Sequence, residues 1–190
     1  MKTVLFTPGF GDDIRTRDYA TLISAIKSKG YEVKFISINW KRTMINDWVK
    51  QLELEYRKHE PKNTILAGFS FGSMTSFVAA TKRNPAQLWL FSFSPYFAED
   101  LPKIKRWWAN IIGKRRIEAF SRVSFKDLAN KINCPTIIMV GEIETKQFAL
   151  LTNRCKTAHK MITNSRLVIV PSARHDVTDK NYIETIKTNI

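Results

Sequence analysis

The chain contains the stretch Thr64-Ile65-Leu66-Ala67-Gly68-Phe69-Ser70-Phe71-Gly72-Ser73-Met74, which joins an apolar run to a G-x-S-x-G pentapeptide and a helix-compatible continuation. In this context the pentapeptide predicts a nucleophile elbow, in which a serine lies on the tight turn between a strand and a helix. The turn strains the backbone of Ser70, and it brings strand and helix so close that a Cβ on Gly68 or Gly72 would collide. Ser70 is therefore the candidate nucleophile.

A serine nucleophile on such a turn needs a carboxylate and then a histidine later in the chain. Of the three histidines, His59 and His159 lie in polar helical patterns, so we interpret them as solvated surface residues. His175 follows a β-branched run that is broken by Pro171, which places it just beyond the carboxyl end of a strand. Open α/β sheets carry their chemistry at that edge, so His175 is the candidate general base.

The candidate acid follows another predicted strand. The apolar run of residues 136–140 ends at Gly141-Glu142-Ile143-Glu144. A carboxylate at this position could orient the imidazole and stabilise the imidazolium that forms during proton transfer. Glu144 is the predicted acid, and Glu142 and Asp176 remain open as alternatives.

Strand and helix patterns alternate along the whole chain. The predicted strands cover residues 3–7, 32–38, 64–69, 88–93, 136–140 and 167–170, and the predicted helices cover residues 17–29, 46–59, 71–84, 146–163 and 181–188. This alternation predicts a three-layer α/β sandwich, with a parallel sheet covered by helices on both faces.

Length and composition indicate a single domain over residues 1–190, which is long enough to bury a self-sufficient core. Cys134 and Cys155 have no spacing typical of a disulfide framework or a metal site, so we expect no metal and a reducing compartment. The chain enters its first strand almost at once, and no apolar run approaches membrane-spanning length. The sequence therefore predicts a soluble cytoplasmic protein without integral membrane association.

With these residues assembled, the chain resembles the α/β-hydrolase superfamily, specifically its small serine hydrolases without a large lid. The resemblance spans nearly the whole chain and implies six mostly parallel strands in the order 2-1-3-4-5-6. It also implies an oxyanion hole made by the backbone N–H groups of Phe10, in the glycine turn after the first strand, and of Phe71. Two residues depart from the family pattern: Pro8 replaces a common histidine, and the acid is Glu144 where aspartate is commoner.

The connection between the fourth and fifth strands is far longer than an ordinary crossover. Because the family inserts caps at this place, we interpret residues 97–131 as a short helical cap over Ser70. An acyl-substrate pocket is predicted to be lined by Phe97, Trp107, Trp108, Ile111 and Ile112. The alternative is that these side chains pack the helix onto the sheet and contact no substrate.

The formal net charge of +14 raises a second possibility. Residues 98–131 carry nine basic and four acidic side chains, and basic patches with aromatic residues can bind nucleic acid or anionic membranes. The remaining positive charge is spread along the chain, however, and no nucleic-acid-binding module is recognisable. We therefore expect no nucleic-acid partner, and we interpret the charge as a solvated surface that could steer anionic substrates.

Two function classes remain. The first is a serine hydrolase that cleaves carboxylic esters or thioesters of small molecules through a Ser-Glu-His triad and an acyl-enzyme, with no cofactor. The second is a catalytically weak or inactive binding module that uses the basic and aromatic cap surface. The complete order of serine, carboxylate and histidine favours the hydrolase.

Overall fold

The computed structural model describes residues 1–16 and 18–190. Its strands are β1 (Thr3–Thr7), β2 (Glu32–Phe35), β3 (Thr64–Phe69), β4 (Gln87–Phe91), β5 (Thr136–Gly141) and β6 (Ser165–Val170). Its helices are α1 (Tyr19–Lys27), α2 (Ile45–Tyr56), α3 (Phe71–Arg83), α4 (Arg106–Ile112), α5 (Lys114–Phe120), α6 (Phe125–Ala129), α7 (Glu142–Gln147), α8 (Ala149–Met161) and α9 (Lys180–Asn189). The predicted start of the first helix at Arg17 lies outside the described residues.

The six strands form one sheet in the order β2-β1-β3-β4-β5-β6, and every pairing between neighbours is parallel. The predicted strand order is thus confirmed. The register pairs Thr7 with Gly68 and Phe69 with Phe91, so β1, β3 and β4 end at the same edge of the sheet. The turn that carries Ser70 begins at that edge.

Helices cover both faces of the sheet. Helices α1 and α9 share one hydrophobic cluster with the sheet, whereas α2, α3 and α8 pack on the opposite face. All residues of β3 and β5 are buried, because these inner strands have helices above and below them. The predicted three-layer α/β sandwich is confirmed.

One helix predicted from the sequence is divided into two helices in the structure. The polar and apolar pattern predicts a single helix over residues 146–163, but α7 already begins at Glu142 and ends at Gln147, and α8 starts at Ala149. Phe148 separates the two with a non-helical φ of −125°. The early start of α7 follows from Glu144, whose carboxylate accepts a hydrogen bond from the Gly141 N–H and so caps the helix.

The long connection after β4 folds into α4, α5 and α6 and is fixed at its base by charged groups. Arg154 of α8 donates to both oxygens of the buried Asp100 carboxylate at 3.0 and 2.6 Å. Glu99 accepts hydrogen bonds from Ser124 Oγ and from the first N–H groups of α6. Burial opposes ionisation of Glu99, but these hydrogen bonds outweigh it and lower its pKa to about 2.

In the part of the chain that the structure describes, no helix combines the length and the apolar character needed to cross a bilayer.

Candidate active site

Ser70 lies on the turn between β3 and α3 in a strained conformation. Its φ of 55° and ψ of −119° fall outside the regions that residues with a side chain prefer. A Cβ added to Gly68 would overlap the backbone of Gly72, and one added to Gly72 would overlap the carbonyl of Thr7. The two glycines therefore permit the close approach of strand and helix that the sequence pattern predicts, and the turn lifts the Ser70 side chain above the sheet edge.

The structure brings Ser70, His175 and Glu144 together. His175 lies in the loop after β6, and its Nε2 is 3.1 Å from Ser70 Oγ. Its Nδ1 hydrogen-bonds Glu144 Oε1. The imidazole is one-third exposed, whereas Glu144 is fully buried. The ring of Phe69 packs against the imidazole at 4.8 Å between ring centres. This order of groups can move a proton away from the Ser70 hydroxyl and stabilise the resulting imidazolium.

The two alternative acids have other partners. Glu142 lies at the surface, where its carboxylate pairs with Lys146 Nζ at 2.8 Å and accepts from the Ser172 N–H. These contacts, with Lys146 the main cause, lower the pKa of Glu142. Asp176 Oδ1 accepts from the backbone and hydroxyl of Thr178.

A buried hydrogen-bond network holds Glu144, and the sequence did not reveal it. Glu144 Oε2 accepts from Ser92 Oγ at 2.8 Å and from the Gly141 N–H at 2.6 Å. Because Ser92 gives its only hydroxyl proton to the carboxylate, Tyr182 Oη donates to Ser92 Oγ at 2.8 Å. Burial, with the charge of Glu144, raises the pKa of Tyr182 well above its usual value. The phenol therefore stays a donor, and it orients the acid through Ser92.

Ser94 is a further neighbour of the nucleophile that the sequence reading missed. Its Oγ lies 3.1 Å from Ser70 Oγ, and the side chain is buried. The available signal was position: Ser92 and Ser94 directly follow β4, at the carboxyl end of an inner strand, where open α/β sheets carry their chemistry. These hydroxyls stand at the sheet edge that carries Ser70.

The two residues predicted to form the oxyanion hole lie next to each other. The side chains of Phe10 and Phe71 pack at 5.4 Å between ring centres. Among the described residues, neither backbone N–H donates a hydrogen bond to another protein group. Phe71 is the first residue of α3, and the first N–H groups of a helix have no carbonyl partner within the helix. The turn that carries Phe10 is held by Tyr19, which donates to Asp12 Oδ2 at 2.8 Å.

The predicted pocket residues separate into two groups. Phe97 is fully buried among Phe77, Phe93 and Phe125, so it belongs to the core and has no surface to offer a substrate. Ile112, also predicted to line the pocket, is buried as well. The pattern of aromatic residues could not distinguish core from pocket, because both need large apolar side chains.

The exposed pocket residues lie on α4. Trp107 and Ile111 are 59% and 63% exposed, and Trp108 is 37% exposed. The Trp108 indole N–H hydrogen-bonds Tyr96 Oη, and the Tyr96 ring stacks on Phe71 at 4.8 Å. Trp108 is thereby connected to the residue that follows Ser70, while Trp107 contacts Trp108 edge to face.

No group of three or more His, Cys, Asp or Glu side chains that could hold a metal occurs within residues 1–16 and 18–190. Cys134 and Cys155 are both free and buried. Burial raises the pKa of the Cys155 thiol to about 12, so it stays protonated and unreactive.

No family model matches the sequence. A non-heme haloperoxidase of Rhodococcus erythropolis is 28% identical over 119 residues, which cover 55% of this chain and 43% of that relative, so the match spans less than half of its length. Among solved structures, Est1E from Butyrivibrio proteoclasticus is similar, with a TM-score of 0.77, 16% identity and coverage of 98% of this chain and 84% of that one. Alpha/beta hydrolase domain-containing protein 10 from mouse gives a TM-score of 0.78 at 14% identity, with coverage of 98% and 86%. At such low identity these likenesses show a shared fold.

Proposed function

We propose that this chain, which has the α/β-hydrolase fold of those structures, is a serine hydrolase that cleaves carboxylic esters or thioesters of small molecules. One observation carries the proposal: an uninterrupted hydrogen-bonded series runs from the buried Glu144 through His175 to Ser70 on a strained turn. The fold is compatible with many functions, so the argument depends on this site. The likeness to an esterase and a haloperoxidase is consistent with it.

The first half of the reaction forms an acyl-enzyme. His175 Nε2 accepts the proton of Ser70 Oγ, and the oxygen attacks the carbonyl carbon of the substrate. Glu144 stabilises the imidazolium through Nδ1. The backbone N–H groups of Phe10 and Phe71 stabilise the negative charge that develops on the carbonyl oxygen. His175 then gives its proton to the leaving alcohol or thiol.

The second half uses the same groups on water. His175 deprotonates a water molecule, which attacks the acyl carbon, and the tetrahedral intermediate collapses to release the acid and restore the Ser70 hydroxyl. The oxyanion donors act again at this step. Each proton leaves and returns through His175, so the cycle needs no metal or cofactor.

Labelling with a fluorophosphonate probe tests the proposal, because the probe reacts with an activated serine and not with an ordinary one. We expect the folded wild-type protein to be labelled at Ser70, and we expect no labelling of Ser70→Ala or of heat-unfolded wild type. A folded wild-type protein that takes up no label contradicts the proposal and favours the binding-module alternative.

The network behind the acid gives a graded prediction. Ser92→Ala removes a hydrogen bond to a charged carboxylate, an interaction of about 1.5–3 kcal/mol. We expect kcat to fall about 10- to 100-fold, because Glu144 loses one of the hydrogen bonds that hold its carboxylate against His175. Tyr182→Phe should lower kcat by a smaller factor, because Tyr182 contacts Ser92 and acts on Glu144 only through it. Wild-type kcat in both variants, measured with p-nitrophenyl acetate, would show that the network does not act on Glu144.

The tryptophans of α4 give a prediction on chain length. If Trp107 and Trp108 contact the acyl group, alanine variants should lose activity on octanoyl esters while keeping most of it on acetyl esters. Each buried methylene contributes about 0.8 kcal/mol, or about fourfold in kcat/KM. We expect the larger effect for Trp108→Ala, since Trp108 is joined to Tyr96. Equal losses on short and long p-nitrophenyl esters would mean that both residues act in packing alone.

A further inference from the structure

A cleft lies between the loop after β2 and the junction of α4 and α5, with a volume of about 320 Å³. Eight residues line it, among them Arg42, Lys114, Arg115 and Arg116. Half of these residues are cationic and none is acidic. The two segments are about 70 residues apart in the chain, so the concentration of charge is a product of folding.

Among residues 1–16 and 18–190, the four cations of this basic cleft have no carboxylate partners. Elsewhere in the protein, buried or half-buried arginines are paired, as Arg83 is with Glu53 and Arg154 with Asp100. Within the described chain, none of the cleft cations forms an ion pair. Like charges that line one cleft repel each other, and a bound anion would relieve the repulsion.

Arg116 is held in place before any ligand binds. Its guanidinium donates to the carbonyl oxygens of Thr43 at 3.2 Å, Ile112 at 3.0 Å and Trp40 at 2.9 Å. These carbonyls come from both walls of the cleft, so the side chain ties the walls together. Three of its five N–H groups are used in this way. A fixed donor of this kind loses little conformational entropy on binding.

The basic cleft adjoins the proposed active site. The Arg116 guanidinium lies over the ring of Phe10, with 4.7 Å between its central carbon and the ring centre. Phe10 in turn packs against Phe71, the residue after Ser70. The side chain of Phe10 therefore lies between a molecule in the cleft and the proposed oxyanion hole, to which Phe10 contributes its backbone N–H.

We propose that the basic cleft binds a phosphate group, and that it does so for a phosphate-bearing ester or thioester whose acyl group reaches Ser70. The second part rests on the proposed function. Phosphate fits better than a carboxylate because it carries more charge and offers several acceptor oxygens to arginine. Four cations line one cleft of about 320 Å³, which favours a small phosphorylated molecule over nucleic acid.

Titration calorimetry with inorganic pyrophosphate tests the phosphate site, and the Ser70→Ala protein is used so that the result does not depend on turnover. We expect saturable binding at one site, weakened at least tenfold when Arg42, Lys114 and Arg115 are all changed to Gln. The matched control changes the exposed Lys131, Lys156 and Lys160 to Gln, which removes the same net charge elsewhere. The control should bind as the parent does.

Three results overturn the phosphate site: no saturable binding, equal weakening in both triple variants, or an RNA oligonucleotide that binds through the same residues far more tightly than pyrophosphate. The second result would mean that only net charge matters. The third would mean that the face is a nucleic-acid surface, because stacking and extended backbone contacts add affinity that a single phosphate group lacks.

The placement of the substrate is tested with a matched pair of thioesters. Butyryl-coenzyme A carries phosphates, and the butyryl thioester of N-acetylcysteamine has the same reacting group without them. We expect kcat/KM to favour the phosphorylated thioester in the wild-type protein, and the ratio to fall at least tenfold in the cleft variant. An unchanged ratio, or hydrolysis of neither thioester, overturns this placement even if pyrophosphate binds. Failure of the serine hydrolase proposal is seen separately, as absent fluorophosphonate labelling.

Discussion

Ser70→Ala is expected to lower kcat for ester hydrolysis by about 10⁴-fold or more, because it removes the atom that forms the acyl-enzyme. The fold should persist, since the substitution deletes a single oxygen whose contacts are the hydroxyl of Ser94 and the imidazole of His175. Initial rates with p-nitrophenyl acetate and a circular dichroism spectrum measure the two parts of the prediction.

The matched control is Ser24→Ala, the same chemical change at an exposed position of α1. Its turnover and spectrum should equal those of the wild type. Turnover of Ser70→Ala within tenfold of wild type would remove Ser70 from the mechanism, and the hydrolase proposal with it.

Glu144→Gln is expected to lower kcat by about 10²- to 10⁴-fold. An amide keeps the size of the side chain, but it cannot stabilise the imidazolium, and its NH₂ group can favour the wrong tautomer of His175. The same change at Glu142 removes a surface pair with Lys146, which solvent screens, and should change kcat less than twofold. Parallel kcat measurements on the two variants decide between neighbouring carboxylates.

A large loss in Glu142→Gln with a small one in Glu144→Gln would transfer the role to Glu142. A loss confined to Asp176→Asn would transfer it to Asp176. Because Glu144 is fully buried and hydrogen-bonded to Ser92, the Gln variant should also unfold at lower urea concentration than wild type. A urea titration therefore accompanies the kinetics, so that lost structure is not mistaken for lost catalysis.

The secondary structure and the turn of Ser70 could be predicted from local sequence, because their causes are local. The strand predictions for residues 3–7 and 64–69 agree with β1 and β3 to the residue, since a short apolar run in a parallel sheet is buried throughout. The glycines around Ser70 were informative for a similar reason: at those positions the backbone excludes a Cβ. The strand order followed from these elements together with the family resemblance.

Which carboxylate contacts His175 depends on tertiary structure. Glu142 and Glu144 follow the same strand and have the same chemistry, so nothing local separates them. In the structure α7 begins at Glu142, which directs one side chain to Lys146 at the surface and the other to His175 in the interior. The partners of Glu144 come from β4 and α9, which the parallel register brings beside β5.

The assignment of aromatic and basic residues also depended on tertiary structure. Phe97 and Trp108 belong to one aromatic-rich connection, but only packing shows that Phe97 is in the core and Trp108 at the surface. The basic cleft joins Arg42 to Lys114 and its neighbours, which the sequence separates. Local sequence thus determined most of the strands and helices and the turn at Ser70, because dihedral preference and burial pattern act over a few residues. Folding alone determined which side chains meet, because such contacts depend on how distant segments are placed across the sheet.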